Sequence, residues 1–278
     1  MPTSVHRAAA APAAASRGAP VIREATAVAE IEGSFDFIIV GAGSAGCALA
    51  NRLTASGGHR VLLLEAGPDS RHPWLHIPVG YGRLLTDRRF NWCYATEPQP
   101  HCHDRQVIAP RGKVLGGSSA INGLIYIRGQ AADFDHWRQL GNVGWSYEDV
   151  LPYFRKAEDN ERGADAFHGA GGPLGVSDVR DRHPLAEAFT EAAQQCCYPN
   201  NDDFNGATQE GAGFYQTTTR NGVRSSAAAA YLKPARRRPN LRIVRMRSRH
   251  ACCSRAGAPP ASSFWSAARR AGRAPRSR

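Results

Sequence analysis

The sequence predicts an α/β fold that contains a Rossmann-like βαβ unit. Three observations support this fold class: a short apolar run that leads into a G-x-G-x-x-G turn, a helix-compatible run after the turn, and a second apolar run that ends on an acid. Along the chain these are a strand at 35–40, the turn at 41–46, a helix that ends at Gly57 and a strand at 60–64. This succession is the context in which a glycine motif of this spacing binds a dinucleotide.

The first glycine turn has a physical role for each of its glycines. Gly41 permits the tight turn, Gly43 lets the backbone approach a pyrophosphate, and Gly46 lets the helix pack close to the strand. The helix N-terminus adds amide donors and a partial positive charge. Glu65 ends the second strand, where it can accept hydrogen bonds from ribose hydroxyls and would repel the 2′-phosphate of NADP. The turn predicts a dinucleotide site but does not distinguish FAD from NAD.

A second glycine-rich segment extends from Arg111 to Asp135. Its consecutive glycines and serines allow amides and hydroxyls to surround a polar ligand, and Asn122 adds a side-chain donor and acceptor. A simpler interpretation is that Ser118 or Ser119 caps a helix, because the run that follows is compatible with one. Two such turns in one chain favour two contacts with one long cofactor, which points to a flavin enzyme.

The net charge of +11 is confined to the C-terminal part of the chain. Up to Glu210 there are 24 acidic and 19 basic residues, and beyond it there are 16 basic residues and no acidic one. Such an asymmetry can mark a basic tail that binds nucleic acid. We expect no nucleic-acid partner, because the body of the chain is mildly acidic.

The cysteines and histidines predict neither a disulfide framework nor a metal site. The seven cysteines include two adjacent pairs and no C-x-x-C spacing, a pattern that fits a reducing compartment. His101, Cys102 and His103 are consecutive, and consecutive side chains rarely converge on one ion without further ligands. No apolar run reaches the roughly 20 residues that span a bilayer, so we expect no integral membrane segment.

The first 33 residues predict a disordered, alanine-rich leader. They contain Arg7, Arg17 and Arg23 but no acid before Glu24, which loosely resembles a transit peptide. A proline interrupts the alanine stretch, and no cleavage site or twin arginine is present. A disordered leader or an over-extended start is therefore the preferred interpretation.

Both turns lie within a longer stretch that resembles the glucose–methanol–choline (GMC) oxidoreductases. The residues from Gly112 to Asp135 match the first signature of that family. Other similar segments are LLLEAGPD at 62–69, FNWCYATEPQP at 90–100, GNVGWSYEDVLPYFRKAEDN at 141–160, FHGAGGPLGVSD at 167–178 and the run at 201–232. The resemblance extends from Phe35 to Val244, and within the family it is strongest to choline dehydrogenases and the bacterial alcohol dehydrogenases near them.

The resemblance implies a fold that is α+β overall, with a non-contiguous FAD-binding domain and inserted substrate-domain segments. Residues 34–244 would form the N-terminal FAD-binding region, and the C-terminal half of the family fold would not be present. Some members carry a flavin-linking histidine where this chain has Ile121. The resemblance therefore implies FAD held without a covalent bond.

Two groups of cofactor-binding residues follow from their positions in the family's motifs. On the pyrophosphate and ribose side they are Gly41, Gly43, Ser44, Ala45, Gly46, Glu65 and Ala66. On the flavin side they are Val114, Gly117, Ser118, Asn122, Gly123, Leu124 and Ile125.

The resemblance also implies oxidation of a small-molecule alcohol or choline by hydride transfer to the flavin. Electrons would pass to a quinone or another acceptor, and the location would be cytoplasmic, with peripheral association at the inner membrane if the acceptor is a quinone. The family's base is a histidine in an H-P-x-G-T context near the C-terminus, because a group of near-neutral pKa must accept the hydroxyl proton. None of the ten histidines here has that context.

Two histidines share only the H-P dipeptide. His72 and His183 precede prolines but lack the glycine and threonine, and we expect them to be ordinary loop or helix-start residues. We therefore expect no catalytic residue in this chain and no activity from this chain alone.

The sequence departs abruptly from the family between Arg245 and Arg278. This stretch has nine arginines, no acid and no strand or helix period. It is either a disordered basic tail or the product of a shifted reading frame in GC-rich DNA, which we prefer because the break interrupts a family segment. Missing strands would leave exposed sheet edges and apolar surface, so we expect aggregation and weak or absent FAD binding.

Two alternative functions remain open at this point. One is a non-catalytic, truncated or frameshifted product without activity. The other is a NAD-dependent Rossmann dehydrogenase, which would explain the segment from Gly41 to Glu65 but not the one from Arg111 to Asp135.

Overall fold

The computed structural model describes residues 33–245. The predictions about the leader and the tail lie outside the described residues, apart from Gly33 and Arg245 themselves. The strands are β1 (Phe37–Val40), β2 (Val61–Glu65), β3 (Tyr94–Ala95), β4 (Ile108–Ala109), β5 (Glu158–Asn160), β6 (Leu174–Val176), β7 (Thr219–Arg220), β8 (Val223–Arg224) and β9 (Leu241–Arg245). The α-helices are α1 (Ser44–Leu53), α2 (Tyr81–Leu84), α3 (Ala131–Gln139), α4 (Tyr147–Ala157), α5 (Pro184–Gln195) and α6 (Lys233–Ala235).

A parallel sheet of three strands in the order β1-β2-β9 positions the first glycine turn. Phe37 pairs with Val61, and Val61 pairs in turn with Leu241, so the central strand is β2. The order β1, glycine turn, α1 and β2 confirms the α/β class and the βαβ unit. The strand β9 extends through Arg245, the residue at which the predicted tail begins.

The central strand β2 is buried along its whole length, as its apolar composition predicts. Leu63 packs on the face that α1 covers, together with Cys47 and Ala50. Leu62 and Leu64 lie on the opposite face in a smaller cluster with Ile38. Burial on both faces makes β2 the rigid element behind the glycine turn.

A helical segment from late in the chain completes the cover over α1. Residues Ala228–Leu232 form a π-helix that runs into α6. Asn51 on α1 donates its side-chain amide to the carbonyl of Tyr231, at 2.7 Å. This contact joins two segments that are 180 residues apart in the sequence.

The second glycine segment does not begin a regular α-helix, so the alternative interpretation of a serine-capped helix is wrong. Gly117–Ala120 form a single 3-10 turn whose N-cap is Gly116, and the following residues are irregular or extended. Neither serine is an N-cap: the hydroxyl of Ser118 accepts from the amide of Gly112, and that of Ser119 donates to the carbonyl of Gly116. These contacts within the turn replace the helix cap.

The remaining elements form small units outside the central sheet. The pairs β3-β4 and β7-β8 are antiparallel, and β5-β6 is parallel. The helices α3 and α4 both begin with a capping box, formed by Gln130 with Asp133 and by Ser146 with Asp149. Within residues 33–245, no helix is long and apolar enough to cross a bilayer.

Candidate functional site

The first glycine turn connects β1 to α1. Gly41 has a φ of +92°, a left-handed conformation that favours glycine. Gly43 is the N-cap of α1 and provides no side-chain cap, so the first amides of the helix stay available to an external acceptor. A Cβ at Gly43 would meet no atom within 4 Å. The turn thus presents bare backbone and a helix N-terminus to open space, which suits an anionic group.

The second glycine turn lies directly against the first. The amide of Gly116 donates to the carbonyl of Ala42 at 2.7 Å. A Cβ at Gly117 would lie 2.7 Å from the Cα of Gly43, which is too close for two non-bonded carbon atoms. The two turns, separate in sequence, therefore form one continuous backbone surface.

A cleft of ≈ 450 Å³ opens over this surface. It is lined by Val40, Gly41, Gly43, Ser44, Glu65, Ala66, Trp92, Tyr94, Arg111, Gly112, Gly117 and Ser118. Seven of these residues are in the set that the sequence predicted, and they come from both predicted groups. The lining has one acid and one base, Glu65 and Arg111, and is otherwise backbone, small side chains and aromatic rings.

The other predicted residues lie beside the cleft rather than in its lining. Ala45 is exposed on the first turn of α1, and Gly46 is buried where a Cβ would overlap the carbonyl of Gly41. Val114 is fully buried in a second apolar cluster with Phe90. The remaining ones follow the second turn along the chain: Asn122, Gly123 and Ile125 are exposed, and Leu124 is buried.

Glu65 is held in place by the backbone of the surrounding turns. Its carboxylate accepts from the amide of Ala42 at 2.7 Å and from the amide of Gly67 at 2.8 Å. Burial raises the pKa of Glu65, and the hydrogen bonds from Gly67 and Ala42 oppose that effect. Because a carboxylate has about four acceptor positions, acceptor capacity remains for hydroxyl donors in the cleft.

Cys47 lies beneath the first turn, but its thiol is not a candidate nucleophile. It is fully buried and its Sγ donates to the carbonyl of Ala42 at 3.2 Å. Burial raises the pKa of Cys47 to about 12. A thiol of this kind is not ionised near neutral pH, and only the thiolate is reactive.

Sequence reasoning missed an aromatic wall of the cleft. The rings of Trp92 and Tyr94 stack with centroids 5.9 Å apart and planes 3° from parallel, and Lys113 Nζ lies 4.7 Å from the centroid of Trp92. The intervening Cys93 has a φ of +53°, so the stacking does not follow from the alternation of a regular strand, and the local sequence did not predict it. Such flat faces can stack against a planar heterocycle.

Comparison with known proteins shows the family to which the chain belongs. The family model described as GMC oxidoreductase matches residues 35–253. The chain belongs to the GMC oxidoreductases. The resemblance that the two glycine segments carry is therefore confirmed at the level of the family.

Similar proteins cover the same part of the chain. An oxygen-dependent choline dehydrogenase of Sinorhizobium fredii is 48% identical over 210 residues, which are 76% of this chain and 38% of that protein. The mitochondrial choline dehydrogenase of Mus musculus is 48% identical over 236 residues, or 82% of this chain and 40% of that protein. This GMC chain thus spans about two fifths of the length of those relatives.

A solved structure supports the fold. The crystal structure of pyridoxine 4-oxidase from Mesorbium loti has a TM-score of 0.73 and 36% sequence identity to this chain. The match covers 76% of this chain and 42% of that protein. The described fold is therefore similar to the fold of a protein whose structure has been solved.

Proposed function

We propose that this chain forms the FAD-binding cradle of an enzyme that oxidises the CH–OH group of an alcohol. The observation that carries the proposal is the direct contact of the two glycine turns over one cleft. A dinucleotide with a pyrophosphate fits this donor set, because the cleft presents bare backbone and a helix N-terminus and only one carboxylate. When bound, FAD would accept the hydride that leaves the carbinol carbon.

The residues of the chain would divide the binding between them. The backbone amides of Gly43 and Ser44 would donate to the pyrophosphate, and Glu65 would accept from the ribose hydroxyls. Gly41 would shape the turn, because its own amide donates to the carbonyl of Leu64 at 2.8 Å. Gly117 and the residues after it would lie on the flavin side. Trp92 and Tyr94 would exclude water from one wall of the cleft, and we expect no covalent bond to the cofactor.

The substrate class is inferred from the relatives. Two of them are named choline dehydrogenases, so we propose choline or a similar small alcohol. A quinone or another acceptor would take the electrons, and we propose a cytoplasmic location. A NAD-dependent dehydrogenase is disfavoured, because a second glycine turn built against the first would then have no ligand to contact.

Titration of the purified chain with FAD tests the proposal. We expect weak but measurable quenching of flavin fluorescence, and no displacement by NAD. Gly43→Val is the decisive variant, because Gly43 has an extended backbone (φ −74°, ψ −165°) that any residue adopts and its new side chain would fill only the open cleft. It should abolish FAD binding while lowering the unfolding free energy by only about 1 kcal/mol.

Gly58, which follows the C-terminal end of α1, provides a matched control. Gly58 is exposed, and its Cβ would make only an ordinary contact with Ser56. Gly58→Val should bind FAD as the wild type does. Failure of the wild type to bind FAD, or unchanged binding by Gly43→Val, would overturn the proposal.

A second candidate function is that this chain binds FAD without turning over an alcohol. None of its ten histidines is in the H-P-x-G-T context of the family base. The FAD-loaded chain should therefore not reduce dichlorophenolindophenol when choline is added. Choline-dependent reduction of that dye would show that the chain supplies its own base and would exclude this candidate.

A further inference from the structure

Arg224 is the largest side chain that is fully buried in the described part of the chain. Its guanidinium donates to the side-chain oxygen of Asn122 at 2.6 Å, to the carbonyl of Asn122 at 2.8 Å and to the carbonyl of Ser119 at 3.2 Å. Among residues 33–245 it forms no ion pair, and its Nε has no hydrogen-bond partner. Burial lowers the pKa of Arg224 to about 10. A cation buried without a carboxylate is costly to the fold, which requires an explanation.

The acceptors of Arg224 belong to the second glycine turn and to the residues that follow it, Ser119 and Asn122. Asn122 lies 102 residues before Arg224 in the sequence. The same two segments are joined again where the amide of Ala227 donates to the hydroxyl of Ser119 at 2.9 Å. Arg224 therefore fixes the turn from Ser119 to Leu124 through three of its oxygen atoms.

These contacts hold a strained backbone. Leu124 has a φ of +68°, in the left-handed region that a branched side chain disfavours. Its amide donates to the side-chain oxygen of Asn122 at 3.2 Å, the same atom that Arg224 contacts. Its carbonyl accepts from the amide of Thr218 at 2.8 Å. Strain of this type persists only where surrounding contacts determine the conformation, and it is concentrated at ligand sites.

The orientation of the Asn122 amide is fixed for the same reason. Arg224 and the Leu124 amide can only donate, so the atom they share must be the oxygen. The NH₂ group is then the remaining donor of an exposed side chain, and within residues 33–245 it has no partner. Arg224 thereby fixes which end of the exposed Asn122 amide is free to donate.

We propose that Arg224 is a positioning residue for the flavin: it holds the Asn122–Leu124 turn in the strained conformation that receives the cofactor. The inference rests on the proposed function, and it predicts a role for the planar guanidinium fork rather than for positive charge alone. An ammonium group cannot donate in parallel to the side-chain and backbone oxygens of Asn122 as the fork does. Arg224→Lys is therefore the informative variant, and Arg224→Gln removes the charge as well.

Two measurements on the full 278-residue chain test the proposal. In the FAD-free protein, hydrogen exchange at the Leu124 amide should accelerate in Arg224→Lys and Arg224→Gln. In FAD titrations, both variants should raise the dissociation constant by about 10-fold or more, the loss expected for charge-assisted hydrogen bonds. Arg224→Gln should weaken binding less in an Asn122→Ala background than in the wild type, because one of the three contacts of the arginine is with the Asn122 side chain.

Arg238 provides the control for a purely structural arginine. It donates to the carbonyl of Asn51 and to the hydroxyl of Thr54 near the C-terminus of α1, away from the glycine turns. Arg238→Gln should lower the unfolding midpoint without changing the FAD dissociation constant or the exchange of Leu124. Wild-type values for Arg224→Lys in either measurement would overturn the inference. Absence of FAD binding by the wild type would overturn the proposed function, and the exchange experiment would still decide whether Arg224 fixes the turn.

Discussion

At Gly117 the two glycine segments come into direct contact, so a single methyl group there is a sensitive probe of the site. Gly117 has a φ of +55°, and its Cβ would lie 2.7 Å from the backbone of Gly43. Gly117→Ala should lower the unfolding free energy by roughly 2 kcal/mol or more, because it combines a left-handed conformation with a backbone clash. The turns must separate to relieve the clash, so FAD titration should also show weaker binding.

Gly82 is the matched glycine outside the cleft. It is exposed in α2, and a Cβ there would meet no atom within 4 Å. Gly82→Ala should leave FAD binding unchanged and stabilise the helix by up to about 1 kcal/mol in urea unfolding. If Gly117→Ala unfolded at the same urea concentration as the wild type, the contact between the turns would not be as close as described.

Individual residues of the site differ in how far their roles could be predicted. Glu65 could be placed, because one motif fixes both its spacing and its position at the end of a strand. Trp92 could not be placed, because the residue between it and Tyr94 has a left-handed backbone that the sequence does not predict. Arg224 could not be placed, because its contacts are with a segment far away in the sequence. The partner of Arg224 is Asn122, 102 residues earlier, and no local sequence pattern predicts a contact between residues so far apart.

Among the elements, β2 is the one on which the position of the cleft depends most. It is paired on both sides and buried on both faces. Leu63 is fully buried against α1, so Leu63→Ala should lower the unfolding free energy by about 2–5 kcal/mol. Leu49 on α1 is 50% exposed, and Leu49→Ala should change the unfolding free energy by less than about 0.5 kcal/mol. Equal effects of the two substitutions in urea unfolding would contradict this description of the sheet.

The two glycine segments show why one element was predictable and the other was not. The helix α1 follows a strand and has buried residues at helical spacing, and local sequence predicts it, although it ends at Leu53 rather than at Gly57. After Gly117 the serine hydroxyls bond within their own turn, and Arg224 and Thr218 bind the next residues. Tertiary contacts therefore override a run whose composition is compatible with a helix.

Across the whole molecule, a buried polar cluster joins segments that the sequence keeps far apart. Glu158 is fully buried and pairs with Arg128 at 2.6 Å and with Nδ1 of His168 at 2.9 Å. The other ring nitrogen of His168 lies 3.0 Å from Asp203. Burial alone would raise the pKa of Glu158, but the hydrogen bonds from His168, Gly169 and other donors outweigh it and lower that pKa. The cluster thereby ties α4 and β5 to the loops at 168 and 203.

The protonation of His168 makes the stability of this cluster depend on pH. The hydrogen bond to Glu158 raises the pKa of His168 above its ordinary value of 6.5, against the opposing effect of burial and with further help from Asp203. A group whose pKa is higher in the folded state stabilises the fold fully at any pH below its pKa in the unfolded state. This stabilisation is lost as the pH rises through its pKa in the folded state. Each pKa unit by which the folded and unfolded states differ contributes about 1.4 kcal/mol to the unfolding free energy.

His168→Gln should therefore lower the unfolding free energy most at pH 6, and progressively less as the pH rises above 6.5. The measurement is urea unfolding of wild type and variant between pH 5.5 and 9, and the difference in unfolding free energy is plotted against pH. His101→Gln is the control, because His101 is exposed and has no hydrogen-bond partner within residues 33–245. A difference for His168→Gln that stays constant across this range, as expected for the control, would mean that His168 is neutral in the cluster. A neutral His168 could donate to only one of the two acids, and Asn160 would still donate to Glu158 at 3.0 Å.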